Sequence, residues 1–168
     1  MKLVILGAGG YGQTVADVAR QLGTYEQILF LDDNSPLAVG KCEKFHSFVN
    51  EAVEFYPAFG NNRGRLSWLG RLEAAGCRVP VLVHPTAYVS PTATLAPGTV
   101  VLPKAVVNTG CEIQRGCIIN CGAIVDHGCI IEAGCHICLG AIVKAENRIP
   151  GLMKIEAGEV VENRTFPL

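Results

Sequence analysis

One period governs this chain. Every sixth residue from Val83 to Val143 is aliphatic: Val83, Val89, Leu95, Val101, Val107, Ile113, Ile119, Val125, Ile131, Ile137 and Val143. Four places after each of the first ten stands a small residue: Ala87, Ala93, Thr99, Ala105, Cys111, Cys117, Ala123, Cys129, Cys135 and Ala141. One step before the small register, Gly recurs at Gly98, Gly110, Gly116, Gly122, Gly128, Gly134 and Gly140. An α-helix repeats every 3.6 residues and a strand every 2, so neither gives a strict period of six. A coil of three short flat strands does, with the branched residue inside and the small residue at the bend. Hexapeptide periodicity marks a parallel β-helix. Each rung buries its aliphatic residue only by stacking on the next, so the array folds as a solenoid. Past Val143 the aliphatic phase continues through Ile149, Ile155 and Val161. The small register there reads Asn147, Met153, Glu159 and Thr165. Residues 144–168 are therefore expected to form a last irregular coil and a terminal cap.

The charge balance excludes several classes of partner. With 14 basic and 15 acidic residues well mixed, and a net charge of −1, no basic block points to nucleic acid. No run of 18 apolar residues is present, so no membrane span is expected. Met1-Lys2 leads directly into a strand, unlike a signal peptide, and the expected location is cytoplasmic. Of eight cysteines, Cys111, Cys117, Cys129 and Cys135 fall in the small register, where Cys serves as a compact apolar residue. Cys135-His136-Ile137-Cys138 matches C-x-x-C but lacks a second pair at zinc-site spacing, so no metal is expected.

The front of the chain has a different pattern. Lys2–Leu6 reads as a buried strand running into Gly7-Ala8-Gly9-Gly10-Tyr11-Gly12, which fits G-x-G-x-x-G. A helix is expected from about Tyr11 to Leu22, closed by Gly23, then a second strand, Ile28–Leu31, ending at Asp32-Asp33. Strand, glycine turn and helix form the front half of a nucleotide-binding βαβ unit, whose N–H groups and helix N-terminus suit a phosphate. Only about eighty residues precede the ladder, too few for both halves of a doubly wound sheet. A mononucleotide or nucleotide-sugar fits better than a dinucleotide. Residues 37–54 are ambiguous. Ala58-Phe59-Gly60 ends a further short strand, Asn61-Asn62 reads as a loop and helix cap, and Leu66–Ala75 as a helix closed by Gly76. Two domains result: residues 1–80, a Rossmann-like nucleotide-sugar-binding domain, and residues 81–168, the β-helix with its cap.

Taken together, Gly7–Gly12 with Ala16-Asp17, Phe30–Asp33, Gly60–Asn62, Leu82–Pro85 and Ile119–Ala141 give the chain a family resemblance. It resembles the sugar O-/N-acyltransferases of the NeuD/PglD type over most of its length except the tail. The resemblance implies a left-handed β-helix and a homotrimer of prisms packed side by side. It implies acetyl-CoA-dependent transfer to a nucleotide-activated, UDP-linked amino sugar in surface-glycan synthesis. It implies that His127, in Val125-Asp126-His127, is the general base, and that His136, nine residues on, matches a second family histidine. Enzymes of the bacillosamine pathway carry an acidic residue straight after the base. Here that position is Gly128, so Asp126 is the candidate to orient the imidazole. The candidates for nucleotide-sugar contact are Gly9, Gly10, Asp32, Asp33 and Asn61, and those for acetyl-CoA are His136 and Gly140.

The chemistry asks for few groups. An attacking amine or hydroxyl must lose a proton, which a neutral imidazole can take near working pH. The thioester oxygen needs a donor, commonly a backbone N–H, and CoA leaves as a thiolate without a metal. A coil of eighteen residues sets His127 and His136 half a turn apart, on different sides of one prism. They meet only across a subunit boundary, so each site is expected between neighbouring chains. Three other readings stay open. An O-acetyltransferase of a sialic-acid-type sugar belongs to the same broad family. A γ-type carbonic anhydrase would use His84, His127 and His136 as zinc ligands. A non-catalytic trimer would only bind nucleotide-sugar.

Overall fold

The computed structural model describes residues 1–168, which divide into two compact units, Met1–Pro80 and Val81–Leu168. In the first, β1 (Lys2–Leu6), β2 (Gln27–Leu31) and β3 (Val53–Pro57) form a parallel sheet in the order β2-β1-β3. A central strand is covered on both faces, and Leu3, Val4, Ile5 and Leu6 accordingly have no exposed surface. Helix α1 (Gly10–Leu22) buries Val15, Ala16, Val18 and Ala19, and ends where Gly23 adopts φ 68°. The stretch that gave no clear pattern holds a 3₁₀-helix, Cys42–Phe48, which buries Cys42 and Phe45. Helix α2 (Asn62–Ala74) begins four residues before Leu66, where the apolar spacing starts. Its first turn is polar in sequence, yet Arg65 within it is fully buried beside Leu69 and Leu72.

The second unit is the ladder, made of fourteen two-residue strands on three faces. One face stacks Leu82–Val83, Val100–Val101, Ile118–Ile119, His136–Ile137 and Lys154–Ile155. The second stacks Tyr88–Val89, Val106–Val107, Ile124–Val125, Ile142–Val143 and Val160–Val161. The third stacks Thr94–Leu95, Glu112–Ile113, Ile130–Ile131 and Arg148–Ile149. All pairs are parallel at a spacing of eighteen residues, and the second residue of each strand fills the interior. This is the parallel β-helix of the left-handed class that the hexapeptide pattern and the family resemblance led us to expect.

The tail corrects one expectation. Strands at Arg148–Ile149, Lys154–Ile155 and Val160–Val161 keep strict register, so residues 144–161 continue the coil regularly. The reason lies in the turns. Left-handed backbone recurs every six residues from Gly98 to Arg164, and Lys104, Glu146, Leu152 and Arg164 adopt it without being glycine. The small register also tolerates more than small residues. Asn147, fully buried, donates through Nδ2 to the carbonyls of Lys144 and Glu162, each at 2.8 Å. Arg148 N–H then donates to Phe166 O and Phe166 N–H to Asn147 Oδ1, which folds the chain end across the last rung.

The register cysteines do the same work as Asn147. Cys111 Sγ lies 3.0 Å from Asp126 O, Cys117 Sγ 3.2 Å from Glu132 O, Cys129 Sγ 3.2 Å from Lys144 O and Cys135 Sγ 3.1 Å from Pro150 O. Thr99 Oγ1 donates to Gln114 O at 3.0 Å. At two corners of the prism a small donor thus meets a carbonyl that turns inward at the bend. The third corner, lined by Ala87, Ala105, Ala123 and Ala141, has alanine in that register instead.

Candidate active site

The ends of β1, β2 and β3 carry the first group of candidate residues, at the edge of a parallel sheet where ligands bind. The four glycines there divide into two kinds. A Cβ on Gly7 would stand 2.7 Å from Ala58 O, and one on Gly12 only 2.0 Å from Gly7 O, so the chain itself requires both. A Cβ on Gly9 or Gly10 would meet nothing within 4 Å. Their openness serves no internal packing and leaves the start of α1 bare. Gly9 caps α1 without a side chain, so the first N–H groups of the helix face outward.

Asp32 is occupied by backbone. Its Oδ2 accepts from Ala8 N at 2.8 Å, and its Oδ1 from Asn34 N and Ser35 N at 2.9 Å each. The N–H groups of Ala8 and Asn34 hold its carboxyl below the usual carboxylate range. Asp32 therefore ties the glycine turn to the end of β2. Asp33 is exposed and accepts from Cys42 N through Oδ1. Asn61 is exposed too, and its Oδ1 caps α2 by accepting from Gly64 N at 2.8 Å.

The second group lies on the ladder. His127 is exposed at the corner between the second and third faces, and its imidazole makes no hydrogen bond within the chain. Asp126 Oδ1 accepts from the backbone N–H of His127 at 2.7 Å and from Asn108 Nδ2 at 3.2 Å. The carboxylate thus fixes the turn that carries the histidine. His136 lies on the first face, half-buried, with Nε2 2.9 Å from Asn120 Nδ2. Asn120 Oδ1 accepts from Cys121 N, so its Nδ2 is the atom aimed at the ring. An amide nitrogen only donates, so Nε2 accepts and the ring proton of neutral His136 sits on Nδ1. Gly140 has φ 62° at the corner between the first and second faces, open around its Cα, but its N–H is committed to Cys121 O at 3.0 Å.

Within one chain the ladder does not bring His127 and His136 together: one sits on a corner, the other on the face opposite it. Nor do the histidines gather as ligands. His84 Nδ1 is engaged by Thr86 N and Oγ1, and no group of three His, Cys, Asp or Glu side chains is placed to share an ion. Asn120 and Asn108 went unnoticed in the sequence. The signal was available, since each is an amide in a ladder position directly after an inward aliphatic residue.

Comparison with known proteins follows the same outline. The family model described as PglD N-terminal domain matches residues 2–72. The structure of the acetyltransferase domain of PglB from Neisseria gonorrhoeae FA1090 superposes with a TM-score of 0.95 at 38% identity, covering 97% of this chain and 83% of that one. The same domain in complex with acetyl coenzyme A gives 0.94 at 38% identity, covering 97% and 82%. PerB from Caulobacter crescentus, in complex with CoA and GDP-perosamine, shares the fold at a TM-score of 0.77 and 22% identity, covering 97% and 89%.

Proposed function

The chain belongs to the NeuD/PglD-type family of sugar acyltransferases, and from that premise we propose that it transfers an acetyl group from acetyl-CoA to the amine of a nucleotide-activated sugar. The observation that carries the proposal is the match, along nearly the whole chain, to an acetyltransferase domain also known bound to acetyl coenzyme A. The open Gly9–Gly10 turn over the bare start of α1 supports a diphosphate site. We take the nucleotide to be UDP, with Asp33 and Asn61 at its edge and Asp32 behind it, and the pathway to be surface-glycan synthesis.

His127 is the general base in this reading. Its ring is accessible, and Asp126 holds its backbone. The imidazole takes a proton from the sugar amine as the nitrogen attacks the thioester carbonyl. Collapse of the tetrahedral intermediate then breaks the C–S bond and releases CoA as thiolate. His136 lies on the acetyl-CoA side in this reading, its ring oriented by Asn120 at Nε2, and Gly140 leaves room beside it. Because the two histidines lie on different sides of one prism, two copies of the chain furnish each site. A homotrimer is supported by the second face, whose outward column Tyr88, Val106, Ile124, Ile142 and Val160 is aliphatic or aromatic throughout. Tyr88 is 53% exposed and Val160 45%. The matching column of the third face reads Thr94, Glu112, Ile130 and Arg148.

No helix is long and apolar enough to cross a membrane. The eight free thiols suit a reducing compartment, and we place the protein in the cytoplasm. The test is CoA-thiol release from acetyl-CoA with a panel of UDP- and GDP-linked sugars, each with and without a free amine. We expect release only with an amino sugar, and His127→Ala to lower kcat by roughly 10²–10⁴. Equal release by His127→Ala would remove the histidine from its role. Release with hydroxyl sugars alone would favour O-acetylation.

A further inference from the structure

Among the side chains wholly shut from solvent, Arg65 is the largest. Burying a guanidinium is costly unless its donors are satisfied. Nη1 donates to Phe59 O at 2.9 Å, with Gly60 O at a longer 3.4 Å, and Nη2 donates to Asn62 Oδ1 at 2.8 Å. The two carbonyls belong to the loop after β3, the wall of the glycine turn. Ala58 N–H donates to Leu6 O at 2.7 Å, and Ala58 O blocks any side chain at Gly7. Desolvation of its hydroxyl pushes Tyr11 up to about 12, and the charge of Arg65 is close enough to oppose that rise. Tyr11 Oη in turn lies 3.1 Å from Tyr56 Oη. Helix α2 grips the loop a second time, since the Phe59 ring stacks on Trp68 at 5.9 Å and 15°.

In a trans peptide the C=O and the following N–H point in opposite directions. Drawing Phe59 O and Gly60 O inward turns the N–H groups of Gly60 and Asn61 outward. Neither N–H has a hydrogen bond within the chain, and both residues are exposed. They flank the turn whose Gly9 and Gly10 are open. We propose that Arg65 is a positioning residue for nucleotide binding: it holds the N–H groups of Gly60 and Asn61 toward a diphosphate seated on the start of α1. This rests on the nucleotide-sugar reading above. Arg65 never touches the ligand; it acts through the loop. A lysine at this position keeps the charge but cannot hold a backbone carbonyl and Asn62 Oδ1 at once in a planar fork.

The test uses the full chain with UDP and GDP as calorimetric probes and acetyl-CoA as the control ligand, on the unaltered protein, Arg65→Lys and Arg65→Met. We expect nucleoside diphosphate Kd, and KM for the amino-sugar substrate, to rise roughly tenfold or more in both variants. KM for acetyl-CoA and the trimer-normalised kcat should hold. A second pair does not depend on the buried arginine. Asn61 has φ −70°, which proline can adopt, so Asn61→Pro and Asn61→Ala both lose the helix cap while only the first loses the N–H. Asn61→Pro should bind nucleoside diphosphate more weakly than Asn61→Ala. Wild-type affinity in folded Arg65→Lys, or equal affinity in the Asn61 pair, overturns the inference alone. Failure of the unaltered protein to bind either diphosphate overturns the nucleotide reading, and this inference with it.

Discussion

In the α/β unit three strands converge on two loops, and each loop hangs on one side chain. Asp32 ties the N–H of Ala8 in the glycine turn to those of Asn34 and Ser35 after β2, and Arg65 takes the carbonyls of the facing loop. Along the repeating part of the ladder no residue holds such a position; Asn147 does so only where it fastens the chain end. Each rung pairs with its neighbours eighteen residues away, and two of the three corners repeat the same thiol-to-carbonyl contact from coil to coil. The first region concentrates its constraints and the second repeats them. A substitution should therefore spread through the α/β unit but stay local in the ladder, and that contrast can be tested from both ends.

The largest effect is expected at Gly12. A Cβ there would lie 2.0 Å from Gly7 O, and both atoms are backbone-bound, so one strand-to-helix connection must move. Gly12→Ala should cost about 3 kcal/mol or more, at the upper end for overpacking. Gly9→Ala meets nothing within 4 Å and should change stability by no more than about 0.5 kcal/mol while weakening nucleotide binding. Chemical unfolding of the two variants beside diphosphate titration separates them. Equal stability loss in both would show that the turn is not as rigid as its contacts indicate.

Asp32 comes next, with a dependence on pH. Its folded-state pKa is depressed by the N–H groups of Ala8 and Asn34. A depressed carboxyl contributes stability that is fully present above its unfolded pKa, about 3.9, and that is lost as pH falls through the folded value. Asp32→Asn puts an amide N–H against a backbone N–H and should cost about 2 kcal/mol at pH 7. Below about pH 4 the difference from the unaltered protein should begin to shrink, because the unfolded-state carboxyl takes a proton there while the native one, held by its N–H partners, does so only at lower pH. Thermal unfolding at pH 7 and pH 3 measures this. An unchanged difference at both would mean that the carboxylate is not held by those N–H groups.

The same contrast explains what could be read from the sequence. The ladder was legible because a repeat states its geometry many times over, and aliphatic residues at every sixth position admit few other folds. Its last coil reads as irregular because the small register looks, in sequence, like a rule about size. Asn147 shows that it is also a rule about donors, and a buried asparagine meets it as well as cysteine does. The start of α2 was missed for a related reason. Periodicity counts apolar residues, and the residue buried in that first turn is Arg65. Asp32 has the position expected of a ribose contact in a nucleotide-binding unit, yet its oxygens face Ala8, Asn34 and Ser35. Spacing finds such a carboxylate but does not say which way it points. The amide of Asn120 stands directly after an inward aliphatic residue, but only the structure shows that it reaches His136 on the next rung of the same face.

The smallest effect is expected in the ladder, at Cys129. Removing its sulfur takes away one donor to Lys144 O, but Asn147 Nδ2 donates to the same carbonyl at 2.8 Å, so no acceptor is orphaned. What remains is a void of one atom between rungs that still pair on both sides. Cys129→Ala should therefore cost about 1 kcal/mol, with local loss of amide protection and no change in fold. Asn147→Ala should cost more, because it removes one donor each from the carbonyls of Lys144 and Glu162 and leaves Phe166 N–H without its acceptor. Hydrogen exchange on the two variants decides between local and cooperative response. If Cys129→Ala opened amides several rungs away, the ladder would be as concentrated in its constraints as the α/β unit, and the contrast between the two would fail.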